Sequence, residues 1–266
     1  MAKPRGKKTF YYKDPVNDDF AGTKIKQVAI DEKYVFVNNG LAYRACAFFL
    51  TYFIAIPVLF LVLKIGYGFR TKNRKVLKKV RKSAVFLYGN HTQAADSFVP
   101  QAGLARNRKT YILANPDATS IRGLKTIVGM LGALPLPDSH HNFKAGKNFV
   151  KALNLLVERK KAIAIYPEAH IWPYYTGVRP FSSKSFVYPV NYNTPVIAMA
   201  TTYKKRRLSK RPRMVVMLSE PFYPDLSLSK SDAREKLRNE VYEFMVKETS
   251  VPSNYAYHEY IIQKKD

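Results

Sequence analysis

Strands alternating with helices predict an α/β fold: a mixed β-sheet sandwiched by helices, with a hydrophobic membrane segment ahead of it. Three observations carry this. Two apolar runs, residues 83–88 and 161–166, have strand composition, and each runs directly into polar residues capable of chemistry. Residues 143–160 carry an apolar stripe at helical spacing, Phe149, Val150, Leu153, Leu156 and Val157. Residues 45–63 hold no charged side chain.

Taken in order, residues 1–40 are polar and of mixed charge, with a basic tail over 1–8 and no apolar run at the start to make a signal peptide. Residues 24–37 predict a short strand pair, with Asn38-Asn39-Gly40 as a turn. The uncharged run inside the segment 41–66 would be roughly 28 Å long as a helix, about one hydrocarbon thickness. Pro57 would kink it, and three placements compete: a spanning helix, a monotopic helix entering one leaflet, and a buried soluble helix, which nineteen uncharged residues disfavour. A basic linker, 67–82, follows with no acid in it. That bias places the C-terminal side in the cytoplasm and invites anionic lipid.

The remaining domain, 83–250, begins with the strand 83–88 and a helix over 94–104. Next come a strand at 109–114, a turn or cap at Asn115-Pro116-Asp117 and a helix over 120–131. The two prolines in 132–137 limit that segment to a sheet edge. After the helix 143–160 and the strand 161–166 comes an aromatic loop, 170–181, holding the only Trp. Residues 183–192 read as a helix or turn. Two buried strands at 194–201 and 214–218 flank a basic hairpin tip, and a capped helix covers 229–249. The tail, 251–266, carries no motif.

Composition narrows the partners. Lys and Arg number 45 against 19 Asp and Glu, a formal net charge of +26. Such an excess seeks a polyanionic surface, nucleic acid or an anionic bilayer. Zinc spacing, a ribonucleoprotein-type aromatic motif and a helix-turn-helix signal are all missing, so nucleic acid is not expected. A single Cys, Cys46, excludes an intrachain disulfide and a Cys-based zinc site.

Asn90-His91-x4-Asp96 stands where a strand hands over to a helix. Residues five apart do not meet on one helix face, so the pair needs His91 in the turn and Asp96 in the first helical turn. There the helix N-terminus favours a carboxylate, and a carboxylate on one imidazole nitrogen leaves the other free as a general base. The second strand ends in Pro167-Glu168-Ala169-His170-Ile171. This ordered pair of motifs resembles the PlsC-like glycerolipid and lysophospholipid acyltransferases, which carry N-H-x4-D and, further on, P-E-G-T-R. The resemblance spans roughly 80–220.

The resemblance implies membrane-associated transfer of an acyl group from acyl-CoA or acyl-carrier protein to a lysophospholipid-type hydroxyl. It implies no cofactor beyond that co-substrate and no metal, with the catalytic domain on the cytoplasmic face. His91 would be the base and Asp96 its orienting partner. Glu168 and Asn90 would organise or bind the acceptor, and backbone N–H groups around Gln93 to Ala95 would meet the oxyanion. Where the family has Gly, Thr and Arg after the Glu, this chain has Ala169, His170 and Ile171, and Asp138 stands where the middle motif has Arg. Arg122, Lys125, Arg179 and Lys184 are the candidate substitutes for phosphate contact. Trp172, Tyr174 and Tyr175 suit a larger head group. Two other readings stay open: a metal hydrolase built from His91, Asp96, His140, His141, His170 and Glu168, and a non-enzymatic binder of anionic membranes.

Overall fold

A computed structural model of the chain describes residues 6–22, 29–120, 123–138, 142–207 and 209–263. In chain order the strands are β1 (Thr9–Tyr12), β2 (Arg70–Lys72), β3 (Val85–Gly89), β4 (Thr110–Ala114), β5 (Ala133–Pro135), β6 (Ala162–Ile165), β7 (Val196–Lys204), β8 (Arg213–Leu218) and β9 (Glu259–Ile262). Seven form one sheet, ordered β2-β8-β7-β3-β6-β4-β5. Its neighbours are parallel except for the β7–β8 hairpin, so the sheet is mixed.

Both faces of the sheet are covered, which is why β3 and β6 are continuous apolar runs rather than alternating ones. Val85 and Leu87 point into one core with Phe69, Val76, Val99 and Leu63. Phe86 and Tyr88 point into the other, against Phe149, Leu153 and Leu156 of helix Phe143–Glu158 and Leu237, Val241 and Met245 of helix Lys230–Thr249. The last helix buries every fourth residue from Ala233 to Thr249 and is capped by Ser229, whose side chain accepts from Asp232 N. Proline-bearing β5 lies at the sheet edge as its composition predicts. Gly132 precedes it at φ +102°, where a Cβ would stand 2.5 Å from Thr110 O.

Several expectations are corrected. The segment 67–82 is no linker: it supplies β2, and Phe69, Val76 and Val80 are buried between its basic residues. The N-terminal region is tied to the C-terminal tail by a parallel β1–β9 pair. Residues 29–37 hold no strand, and 23–28 of the expected pair lie outside the described residues. The helix expected over 120–131 is regular only over Lys125–Met130, Ile121 and Arg122 lying outside the described residues. Val150, placed on the apolar stripe of its helix, is exposed. Residues 94–104 form a 3-10 turn, Ala94–Phe98, followed by a π-helical turn, Val99–Leu104. Pro100 cannot donate within a regular helix, and Ala105 N reaches back five residues to Pro100 O.

The apolar helix runs over Leu41–Gly66, long and apolar enough to cross a membrane. A π-helical turn, Leu50–Ala55, precedes Pro57 and absorbs its missing N–H. The helix does not project away from the domain. Ala47, Thr51, Ile56 and Leu63 are buried along one side, and Thr51 Oγ1 donates to Met130 O. Phe48, Phe49, Phe53, Val58, Leu61 and Ile65 are exposed along the other.

Candidate active site

β3 lies between β6 and β7, and its C-terminal end delivers Asn90 and His91. That end of a parallel sheet is where helices and loops leave a crevice. Gly89 lets the site close: a Cβ there would stand 2.8 Å from the Tyr166 ring.

His91 Nδ1 lies 3.1 Å from Asp96 Oδ2. Asp96 is the third residue of the 3-10 turn that starts at Ala94, and its Oδ2 also accepts from Thr92 N (2.6 Å) and Gln93 N (2.8 Å). The carboxylate is buried, its position set by main-chain donors, and with Nδ1–H directed at it the other ring nitrogen of His91 is left for the pocket. Gln93 N is thereby committed to Asp96 and is not an oxyanion donor. The Tyr166 ring stacks on His91 at 4.7 Å, and Tyr166 Oη donates to Asp96 O at 2.6 Å. Burial, and then the Asp96 charge, push the Tyr166 phenol well above its ordinary value, so it stays a donor.

Glu168 anchors the turn from behind. Its Oε2 accepts from His91 N (3.1 Å) and its Oε1 from Arg179 N (3.0 Å). Arg179 Nε is 3.4 Å from Glu168 Oε2, with both side chains buried. Arg179 also donates to the carbonyls of Glu168 and His170 and lies over the Trp172 ring. Burial pushes the Glu168 carboxyl up from its ordinary value, against the opposing pull of Arg179 and the two N–H donors. It lowers Arg179 in the same way. Ala169 adopts φ +63°, the left-handed conformation that the resembling motif meets with Gly.

These contacts sort the expected site residues. His91, Asp96 and Glu168 come together; the others divide differently. Asn90 is buried and clamps β3 to β7, its Oδ1 accepting from Thr201 N and its Nδ2 donating to Thr201 O. Trp172 is buried against Tyr260, Tyr12, Tyr175 and Phe20, and its Nε1 donates to Asp18 O. Tyr174 is buried against Tyr203 and Tyr257. The aromatic loop therefore turns its large rings into the protein, where they bury apolar area, and not toward a ligand. Arg179 is spent on Glu168. Lys125 lies over the Tyr34 ring, away from the pocket. Arg122, His140 and His141 lie outside the described residues. Among the described residues no group of three or more His, Cys, Asp or Glu could hold a metal ion.

A cavity of about 570 Å³ opens over His91. Ile112, Leu113, Leu136 and Ile165 give it apolar walls; Lys184 and His170 stand at its rim. Sequence reading placed Tyr166 only as the end of a strand. The one signal for its role was its position immediately before Pro167-Glu168. Chemically, the arrangement offers a base facing an apolar slot from which a hydroxyl and an acyl chain can be reached together.

A family model described as acyltransferase matches residues 69–202. The crystal structure of the 1-acyl-sn-glycerophosphate acyltransferase PlsC from Thermotoga maritima superposes with a TM-score of 0.54 at 12% identity, over 79% of this chain and 90% of that one. This shows a shared fold. No curated protein matches the sequence.

Proposed function

This chain belongs to the acyltransferase family, and from that premise we propose that it is a glycerolipid O-acyltransferase moving a fatty acyl group from a thioester to a lysophospholipid hydroxyl. The observation that carries the reading is the His91–Asp96 contact beneath an apolar-walled cavity. The acceptor hydroxyl gives its proton to His91 Nε2 as its oxygen attacks the thioester carbonyl carbon. The Asp96 carboxylate stabilises the imidazolium through Nδ1–H. The C–S bond breaks, the imidazolium returns the proton to the departing thiolate, and an ester and a free thiol result. No acyl-enzyme is needed, since neither Cys46 nor a serine elbow stands at the site. The thioester is acyl-CoA or acyl-carrier protein, and a basic surface suits both.

The apolar helix supports seating in one leaflet rather than spanning. A spanning helix leaves its domain, whereas this one lies along it, with its outer row of Phe, Leu, Val and Ile side chains free to enter lipid. The domain would then rest on the bilayer that holds the acceptor, on its cytoplasmic side.

The test is acyl transfer by the purified chain from labelled acyl-CoA and acyl-carrier protein to a panel of lysolipids, wild type against His91→Ala. A positioned general base contributes a factor of about 100 to 10,000, and a loss of that size with unchanged vesicle binding is expected. Substantial turnover in the variant would remove His91 from the mechanism.

A further inference from the structure

A second cavity, of about 900 Å³, lies at the opposite end of the same strands. Val85 opens β3 and Ala162 opens β6, and both line it, while His91 and Tyr166 stand at the far ends of those strands. Three separated stretches of chain contribute its basic lining, with Arg74 and Lys78 from the first, Arg106, Arg108 and Lys109 from the second, and Lys161 from the third. Among the described residues no acid lines it, and none of these six cations is ion-paired to a carboxylate.

The cavity is built into the fold. Arg74 Nε and Nη2 both donate to Leu104 O, Arg108 Nη2 to the carbonyls of Val80, Arg81 and Ser83, and Lys109 Nζ to Met130 O. These side chains are thus held in place by backbone dipoles, with their charges left uncompensated. Burial and then the neighbouring Lys161 bring Lys109 down to about 8. Burial, then Arg159, Arg108 and Arg44, lower Lys161 in turn. An anion in the groove would relieve that mutual repulsion.

Its position beside the apolar helix indicates which anion. Tyr52 of that helix lines the cavity, and Arg106 lies over the ring of Phe60, about two turns further along. Tyr52, Lys109 and Lys161 also line an adjoining cavity that adds Arg44 and Arg159. The basic groove therefore follows the flank of the helix Leu41–Gly66, whose outer face is apolar. With that face in lipid, the groove stands at headgroup depth.

We propose that this groove is a binding site for the phosphate headgroup of an anionic phospholipid, separate from the acyl-transfer site and used to seat and orient the protein on the bilayer. It rests on the leaflet-seating reading of the apolar helix, though not on the acyl-transfer chemistry. A headgroup phosphate in it sits against several cations at once, as a surface charge cannot.

The experiment is flotation of the full chain with vesicles of phosphatidylcholine alone and of phosphatidylcholine mixed with phosphatidylglycerol. Wild type is expected to bind both, and the anionic vesicles more tightly. Lys78→Gln combined with Lys161→Gln is expected to weaken binding to the anionic vesicles roughly 25-fold, from about fivefold per basic residue, with binding to phosphatidylcholine unchanged. A control pair, Lys230→Gln with Lys247→Gln, removes the same charge from the far helix and is expected to have little effect. An equal loss in the control would reduce the effect to net charge and overturn the site. Equal wild-type binding to both vesicles would overturn it as well. So would saturable calorimetric binding of inorganic tripolyphosphate that the double variant loses while its anionic-vesicle binding stays intact, because the ligand would then be a soluble phosphate. Binding to anionic vesicles alone, with none to phosphatidylcholine, would sink the leaflet seating and the headgroup assignment with it.

Discussion

The backbone N–H of His91 donates to Glu168 Oε2 across 3.1 Å, tying together the chain just beyond two neighbouring parallel strands, β3 and β6. Glu168 is buried and holds the histidine by its main chain, while Asp96 and Tyr166 hold it by its ring. One residue of each motif therefore braces the other, and the distance between the motifs in sequence is irrelevant to the rigidity of the pair.

Arg179→Met tests that brace. Removing the cation leaves the Glu168 carboxylate with backbone donors only and costs about 3–5 kcal/mol. Its folded-state value, already raised by burial, then rises further. The folded variant holds that proton to higher pH than the folded wild type, so stability relative to wild type falls as pH rises from the wild type's raised value through the variant's higher one. Denaturant midpoints across that range check the sign; a deficit that shrinks with rising pH would contradict it.

Asn90→Ala leaves Thr201 N and O buried without their partner. A loss of about 2 kcal/mol or more is expected from two such groups, read as a lower midpoint of urea unfolding. Because the clamp bears on the residue next to His91, kcat falls as well while KM for the acceptor holds.

Lys184 is the lysine that lines the cavity, now that Arg179 is accounted for. If the acceptor carries a terminal phosphomonoester, Lys184→Gln raises KM for it roughly tenfold, the size of one lost charged hydrogen bond. Acceptors without that phosphate are unaffected. Identical KM changes for both kinds would remove Lys184 from headgroup recognition.

Ala169→Gly relieves a left-handed backbone that costs an L-residue roughly 1–2 kcal/mol, part of which the added freedom of glycine in the unfolded chain takes back. A gain of up to about 1 kcal/mol is expected in thermal unfolding, with turnover retained.

Much of the site was legible because strand runs and turn residues are local signals. The run 83–88 and the stretch 161–166 each end on the residues that meet, and both strands formed within a residue or two of their expected bounds. The helix 229–249 was legible from its cap and its fourfold spacing. Less was legible where a side chain's role depends on a partner far away in the chain. The strand pair joining Thr9–Tyr12 to Glu259–Ile262 leaves no periodic trace in either segment. Nor do Phe69, Val76 and Val80, scattered through the basic stretch 67–82, announce a sheet edge.

The sequence by itself determined the α/β class, the two motif strands, the acyltransferase resemblance and the spacing that lets His91 meet Asp96. Those rest on hydrophobic periodicity and on turn chemistry, which act over a few residues. Only the tertiary structure decided that Arg179 pairs with Glu168, that Asn90 is a clamp, that Trp172 and Tyr174 face the core, and that the apolar helix lies along its domain. Each of these turns on which surface a side chain faces once distant segments have packed, and burial removes a cation or a ring from the pocket whatever its neighbours in sequence.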